Sequence, residues 1–239
     1  MASRSRLSFS AVACSLLCFA PAAHAGSTFW SAASGVLPNA IACPWTRQPA
    51  TGAGPSIQGG ALVISTITSS ANEYYEQTGA QLAMPADSLV VEFQMQLLSG
   101  ATSSGARGPA NLVLEVAPYR GTAVHIGVGE VFYTSANLTR GASANVPTTD
   151  AVHLYRVVVA GTALRVYQDG IRILTGSTFT DSSTGAFGGT ARILWGEASS
   201  LAYGTSHWLT FTHNAAPGTA CGLTAARAPT WGTLKMLYR

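Results

Sequence analysis

Few residues in this sequence can do acid–base chemistry: ten acids and five histidines. The acids are Glu73, Glu76, Asp87, Glu92, Glu115, Glu130, Asp150, Asp169, Asp181 and Glu197. A strand puts residues i and i+2 on one face, and hydrolysis of a glycosidic bond needs two carboxylates about 5–9.5 Å apart. No two acids here stand two positions apart, so no single strand supplies such a pair. After Glu92 the same strand face continues with Gln94 and Gln96, which bond a ligand but neither protonate nor attack it. Glu92 and Glu115, if neighbouring strands bring them together, are the best remaining pair. His24, His125, His153, His207 and His213 lie at scattered spacings and no CxxC occurs, which argues against zinc. No Asp-x-Asp-x-Asp-Gly loop offers calcium ligands, although backbone carbonyls leave a structural calcium open. HExxH, a phosphate loop and a nucleophile elbow are all absent. The sequence therefore implies no cofactor and no catalytic residue.

Binding asks for less than catalysis. A polar ligand site wants an aromatic platform with amide, carboxylate and hydroxyl partners. Tyr74, Tyr75, Glu92, Gln94, Glu115, His125 and Trp195, with Gln96 and Glu197, supply those types and are expected to populate one polar sheet face. The competing reading makes Trp195 core and the two tyrosines sheet packing.

The elements that must position these residues read as strands. Charged residues are 10% of the chain, against about a quarter in an average soluble domain. Lys235 is the single lysine, while glycine contributes 25 residues, a composition that suits short strands and turns better than helices. Leu89, Val91, Phe93, Met95 and Leu97 alternate with Glu92, Gln94 and Gln96, the period of a long half-buried strand. Further strands are expected at 61–67, 112–117, 123–128, 130–134, 152–159, 164–168, 171–174, 192–195 and 208–212. Asp169-Gly170 is the strongest hairpin signal, because both residues tolerate positive φ. His125 falls on the face opposite Val124 and Ile126. Many strands in one domain imply two antiparallel sheets packed face to face, with a closed barrel as the alternative.

Residues 1–25 read as a secretory signal peptide: Arg4 and Arg6, an apolar run from Leu7 to Ala20, and the small-x-small site Ala23-His24-Ala25. Cleavage there removes Cys14 and Cys18, and leaves Cys43 and Cys221 to form one disulfide in an oxidising compartment. The expected address is secreted, periplasmic or cell-surface, with no transmembrane segment. The formal net charge of +3 falls to about +1 without the two leader arginines, too small a field for a nucleic-acid partner. Residues 26–214 are expected to form the domain and 215–239 a tail, whose Thr230–Tyr238 stretch has the spacing of one or two helical turns.

The stretch His153-Leu154-Tyr155-Arg156-Val157-Val158-Val159, Gly161, Leu164-Arg165-Val166-Tyr167-Gln168-Asp169-Gly170 carries a specific likeness. It resembles the H-x-Y-R-V-x-V-x-G-x-x-L-x-V-Y-x-D-G meander of the concanavalin A-like lectin/glucanase (laminin G-like) jelly-roll superfamily, as found in exported bacterial members. The resemblance implies an all-β, two-sheet antiparallel β-sandwich. It also implies the functions this fold hosts: lectins, glycan hydrolases, lyases and adhesive modules. The E-x-D-x-E strand of its hydrolases and the R-x-E-x-R and Q-x-H strands of its lyases are missing here. What remains is a non-catalytic module for a glycan or cell-surface ligand, with a polysaccharide-active enzyme or an adhesive protein-binding module as alternatives.

Overall fold

The computed structural model describes residues 28–48, 54–68, 72–102, 106–182, 187–199 and 201–221. The expected signal peptide and the tail stretch with helical spacing lie outside these residues. Eighteen strands follow in chain order. They are β1 (Thr28–Ser31), β2 (Thr46–Gln48), β3 (Ser56–Gln58), β4 (Ala61–Ser65), β5 (Glu73–Thr78) and β6 (Leu82–Ala83). Next come β7 (Ser88–Thr102), β8 (Ala110–Ala117), β9 (Arg120–Gly127), β10 (Glu130–Thr134), β11 (Arg140–Asn145) and β12 (His153–Ala160). The last six are β13 (Ala163–Gln168), β14 (Ile171–Ser177), β15 (Phe179–Thr180), β16 (Arg192–Glu197), β17 (Ala202–His213) and β18 (Ala216–Pro217).

Two eight-stranded antiparallel sheets form the two layers. The first runs β14-β13-β12-β7-β17-β4-β3, with β1 and β4 taking successive halves of one edge of β17. The second runs β11-β10-β9-β8-β16-β5-β2, with β15 on β9. Its centre joins residues far apart in sequence: β16 lies between β8 and β5. The resembling meander is β12–β13–β14, and its Asp169-Gly170 turn has the two positive φ angles (51° and 82°) that the sequence demands.

The alternation along β7 holds: Leu89, Val91, Phe93, Met95 and Leu97 are all buried between the sheets. Leu112 and Leu114 on β8, Val124 and Ile126 on β9, and Tyr75 on β5 face them from the second sheet. Trp195 on β16 is the hub, with ring centroids 4.8 Å from Phe211, 5.0 Å from Trp208, 5.2 Å from Tyr75 and 5.5 Å from Trp30. The described fold continues beyond Asn214. Ala215 is in the core, β18 pairs with β6, and Cys221 is bonded to Cys43 across 178 residues of chain. No helix among the described residues is long and apolar enough to cross a membrane.

The meander is latched at its turn. His153 Nδ1 lies 2.7 Å from Asp169 and its Nε2 3.0 Å from Asp150, while Asp169 also accepts from Leu154 N–H at 2.9 Å. The two carboxylates raise the His153 pKa against the opposing effect of burial, and hydrogen bonding to the imidazole lowers that of Asp150. A raised histidine pKa gives stability that is complete below about 6.5 and lost as pH rises through the folded value. The lowered aspartates lose theirs as pH falls below about 4. His153→Ala should therefore lower Tm most near pH 5–6 and progressively less toward pH 9. A deficit independent of pH would assign the residue to packing on Tyr155 instead.

Candidate functional site

The strands that bury Leu112 and Leu114 must point Asn111, Val113 and Glu115 away from the core, onto the outer face of the second sheet. The neighbours on that face follow from the register: His125 opposite Asn111, Ala123 opposite Val113, and Arg192 opposite Glu115. A cavity of about 270 Å³ opens here, near the lower end of the size of ordinary ligand pockets, about 300 Å³. Val113, Ala123 and Leu194 contribute apolar lining, Phe179, Phe187 and Tyr74 aromatic rings, and Asn111, Asn72, Arg107, Arg192 and Ser199 polar groups.

Asn111 is the distinctive residue. It is 1% exposed, and neither its amide oxygen nor its amide nitrogen has a hydrogen-bond partner among the described residues. A buried amide without partners costs about 1–3 kcal/mol, so its position on the cavity wall calls for a ligand or solvent to complete it.

His125, next to it, is fully committed. Gly108 N–H donates to its Nδ1 at 3.2 Å, which places the ring proton on Nε2, 2.8 Å from Thr134 Oγ1. Burial, with the nearby charges of Arg107 and Arg140, pushes its pKa down to about 3, so the ring is neutral. Its Nδ1 is held and its Nε2 carries a proton, so it is a wall and a spacer, not a base. The approach of Gly108 requires a glycine, because a Cβ there would lie 2.9 Å from His125 Cβ.

Glu115 shapes the cavity without entering it. Its carboxylate accepts from Gly189 N–H (2.7 Å), Gly188 N–H (3.0 Å) and Tyr119 N–H (3.1 Å). That ties down the segment carrying Phe187, the ring that packs on Phe179 at 5.1 Å. Arg107, half-buried on the rim, donates to the carbonyls of Ala106 and Leu138. Burial lowers its pKa and no carboxylate opposes that effect. Arg192 lies on the same face, 3.8 Å from Glu76, whose other oxygen accepts from Gln48.

The expectation of one polar face does not hold, for two geometric reasons. Tyr75 and Trp195 are wholly buried between the sheets, because their strands are phased to turn them inward. Glu92 and Gln94 do sit on a wet face, but it is the outer face of the first sheet. Glu92 pairs there with Arg156 at 3.5 Å beside a depression of about 350 Å³. Both side chains are well exposed, and although Arg165 also lines the depression, none of its lining residues carries a buried polar atom without a partner, as Asn111 does. Glu92 and Glu115 thus lie on opposite outer faces, and no bond can sit between them. Of the residues singled out in the sequence, Tyr74 and His125 line the cavity. Asn111, Arg107 and Arg192 were missed. Glu197 points inward, opposite Glu73, which is ion-paired with Arg47 at 2.7 Å. No group of three or more His, Cys, Asp or Glu side chains is arranged to hold a metal among the described residues.

Comparison with solved structures places the fold. The chain superposes on a sialidase with a TM-score of 0.52 and 11% identity, covering 79% of this chain and only 18% of that one. It superposes on the apo Crh5 transglycosylase with a TM-score of 0.51 and 11% identity, covering 80% of this chain and 84% of that one. The Emp47p carbohydrate recognition domain is a looser likeness, with a TM-score of 0.45 and 14% identity over 80% of this chain and 95% of that one. No protein-family model matches the sequence. No curated protein matches it either. The chain is thus an all-β sandwich of the concanavalin A-like jelly-roll type, a fold shared by carbohydrate-binding lectins and glycoside hydrolases.

Proposed function

We propose that this protein is a secreted or envelope-associated glycan-binding module that does no chemistry on its ligand. The carrying observation is the cavity over β8 and β9, where the buried Asn111 amide offers a donor and an acceptor that no group among the described residues meets. Aromatic rings beside an unmet amide suit a sugar, which presents an apolar ring face and hydroxyls at its edge. The names of the solved neighbours, a sialidase and a transglycosylase, fit a carbohydrate ligand for the fold. Hydrolysis lacks its machinery here: Glu115 is saturated by backbone amides and no carboxylate lines the cavity. The disulfide and the leader-like segment support export.

The test is a polysaccharide panel in which each well is assayed for binding and for new reducing ends, with the full chain and Asn111→Leu. Binding without cleavage is expected from the full chain. Asn111→Leu should weaken it at least tenfold with Tm unchanged or higher, since it deletes a buried amide that has no partner. Release of reducing ends would overturn the non-catalytic reading, and equal binding by Asn111→Leu would overturn the site.

A further inference from the structure

The charge of the cavity narrows the ligand, if the glycan-binding reading it rests on is right. No Asp or Glu contributes to the wall, whereas two guanidinium groups do. Arg192 has Glu76 within 3.8 Å. Arg107 is different: its described partners are two backbone carbonyls, which orient it but leave its charge uncompensated. A half-buried guanidinium without a counterion is a poor arrangement for stability alone, because burial penalises the charge and two carbonyl acceptors offset only part of the penalty. His125 is the neighbour on which this charge acts. Buried, and in the field of Arg107 and Arg140, its ring stays neutral and adds no charge of its own to the wall. Asn111 and Arg107 both border His125, one across the strand pair and the other through Gly108. The amide NH2 and the guanidinium are both donors, and together they suit the two oxygens of a planar carboxylate.

We propose that the cavity is a subsite for an acidic sugar, with the uronate carboxylate held between the Arg107 guanidinium and the Asn111 amide. The apolar floor of Val113, Ala123 and Leu194 takes the ring face, and Tyr74 lines the cavity with them. Neutral glycans leave Arg107 uncompensated and bind less well for that reason. The charge pair also makes binding sensitive to ionic strength, since Arg107 is only half-buried.

Matched polymers give the test. The full chain is titrated with polygalacturonate, alginate and hyaluronan, and with the same three polymers after reduction of their carboxyl groups to alcohols. At least one uronate polymer is expected to bind ten or more times tighter than its reduced counterpart, with the gap narrowing as salt rises. Arg107→Gln should bring the affinity for that polymer down to the level of the reduced one without moving Tm by more than a few degrees. Arg107→Lys, which keeps the charge but loses the planar fork, should recover part of the difference. Reduced or neutral polymers that bind as tightly as the uronates, or an Arg107→Gln variant with undiminished uronate binding, would overturn the acidic-sugar assignment and leave glycan binding standing. Failure of every polymer, acidic and neutral, would remove the glycan reading together with it.

Discussion

Trp195→Ala is expected to cost about 3–5 kcal/mol, the range for emptying a buried tryptophan site, and to be the most damaging single substitution in the sandwich. The indole is the point where the two sheets meet: it touches rings from β1, β5 and β17, and Trp45 stands 5.8 Å away. No neighbour can collapse into the space without abandoning its own packing, so the cavity term adds to the lost transfer energy. Trp195→Phe separates packing from polarity. The indole N–H has no acceptor among the described residues, and phenylalanine removes that unmet donor while keeping most of the ring contacts. Urea titrations should therefore rank wild type and Trp195→Phe close together, with Trp195→Ala far below. If Phe were as destabilising as Ala, the indole N–H would have to be bonded, and the ring cluster would not explain the residue. Ligand binding should survive in Trp195→Phe, since the ring does not reach the outer face.

The placement of Trp195 also shows where sequence reading reaches its limit. Strict alternation identified β7 and its inward face, and the Asp-Gly turn fixed the β13–β14 hairpin. The stretch Arg192-Ile193-Leu194-Trp195-Gly196-Glu197 has no such alternation: Ile193, Leu194 and Trp195 are all buried, one of them against the cavity. A continuous apolar run gives no phase, so the sequence leaves Trp195 open between a ligand face and the core, and the structure puts it in the core. In β17 a bulge between Trp208 and Thr210 changes the phase, so that Trp208 and Phe211, three residues apart, both face inward. His213 follows Phe211 in the new phase and donates to Gln77 inside the sandwich. Short polar strands such as β3 and β11 carry no apolar period at all. The site was partly legible: Asn111 and His125 are polar residues in largely apolar strands, and alternation alone puts both on the face away from Leu112 and Val124. Their adjacency depends on the β8–β9 register, which the Pro118-Tyr119 turn sets locally. The contribution of β16 depends on a pairing across some eighty residues that no local pattern encodes, and Arg107 belongs to a loop.

Glu197→Gln is expected to stabilise the protein above pH 6 and to flatten its stability profile. Glu197 is 1% exposed at the inner end of β16, and burial raises its pKa to about 8 from 4.5. Ser199 N–H at 2.8 Å and the Thr66 hydroxyl at 2.9 Å favour the ionised form but do not offset burial. The folded state therefore holds a proton that the unfolded state releases above pH 4.5. For an acid raised in the folded state, the contribution is intact below 4.5, falls steadily as pH rises toward 8, and is constant beyond. The full shift corresponds to roughly 5 kcal/mol at alkaline pH, an upper figure because local opening lets water reach the carboxylate. Glutamine keeps the shape and the acceptor for Ser199 N–H, and titrates nowhere in this range. Thermal melts from pH 5 to 9 should show the wild-type Tm falling relative to the variant, with the curves converging near pH 5. Parallel curves would mean that the carboxylate is already ionised in its buried place, and would require a cation or water beside it. The consequence reaches the ligand face, because Ser199, bonded to Glu197, lines the cavity. Ionisation places a negative charge directly behind that wall, so affinity for an acidic ligand should decline through the same pH window in wild type but not in Glu197→Gln.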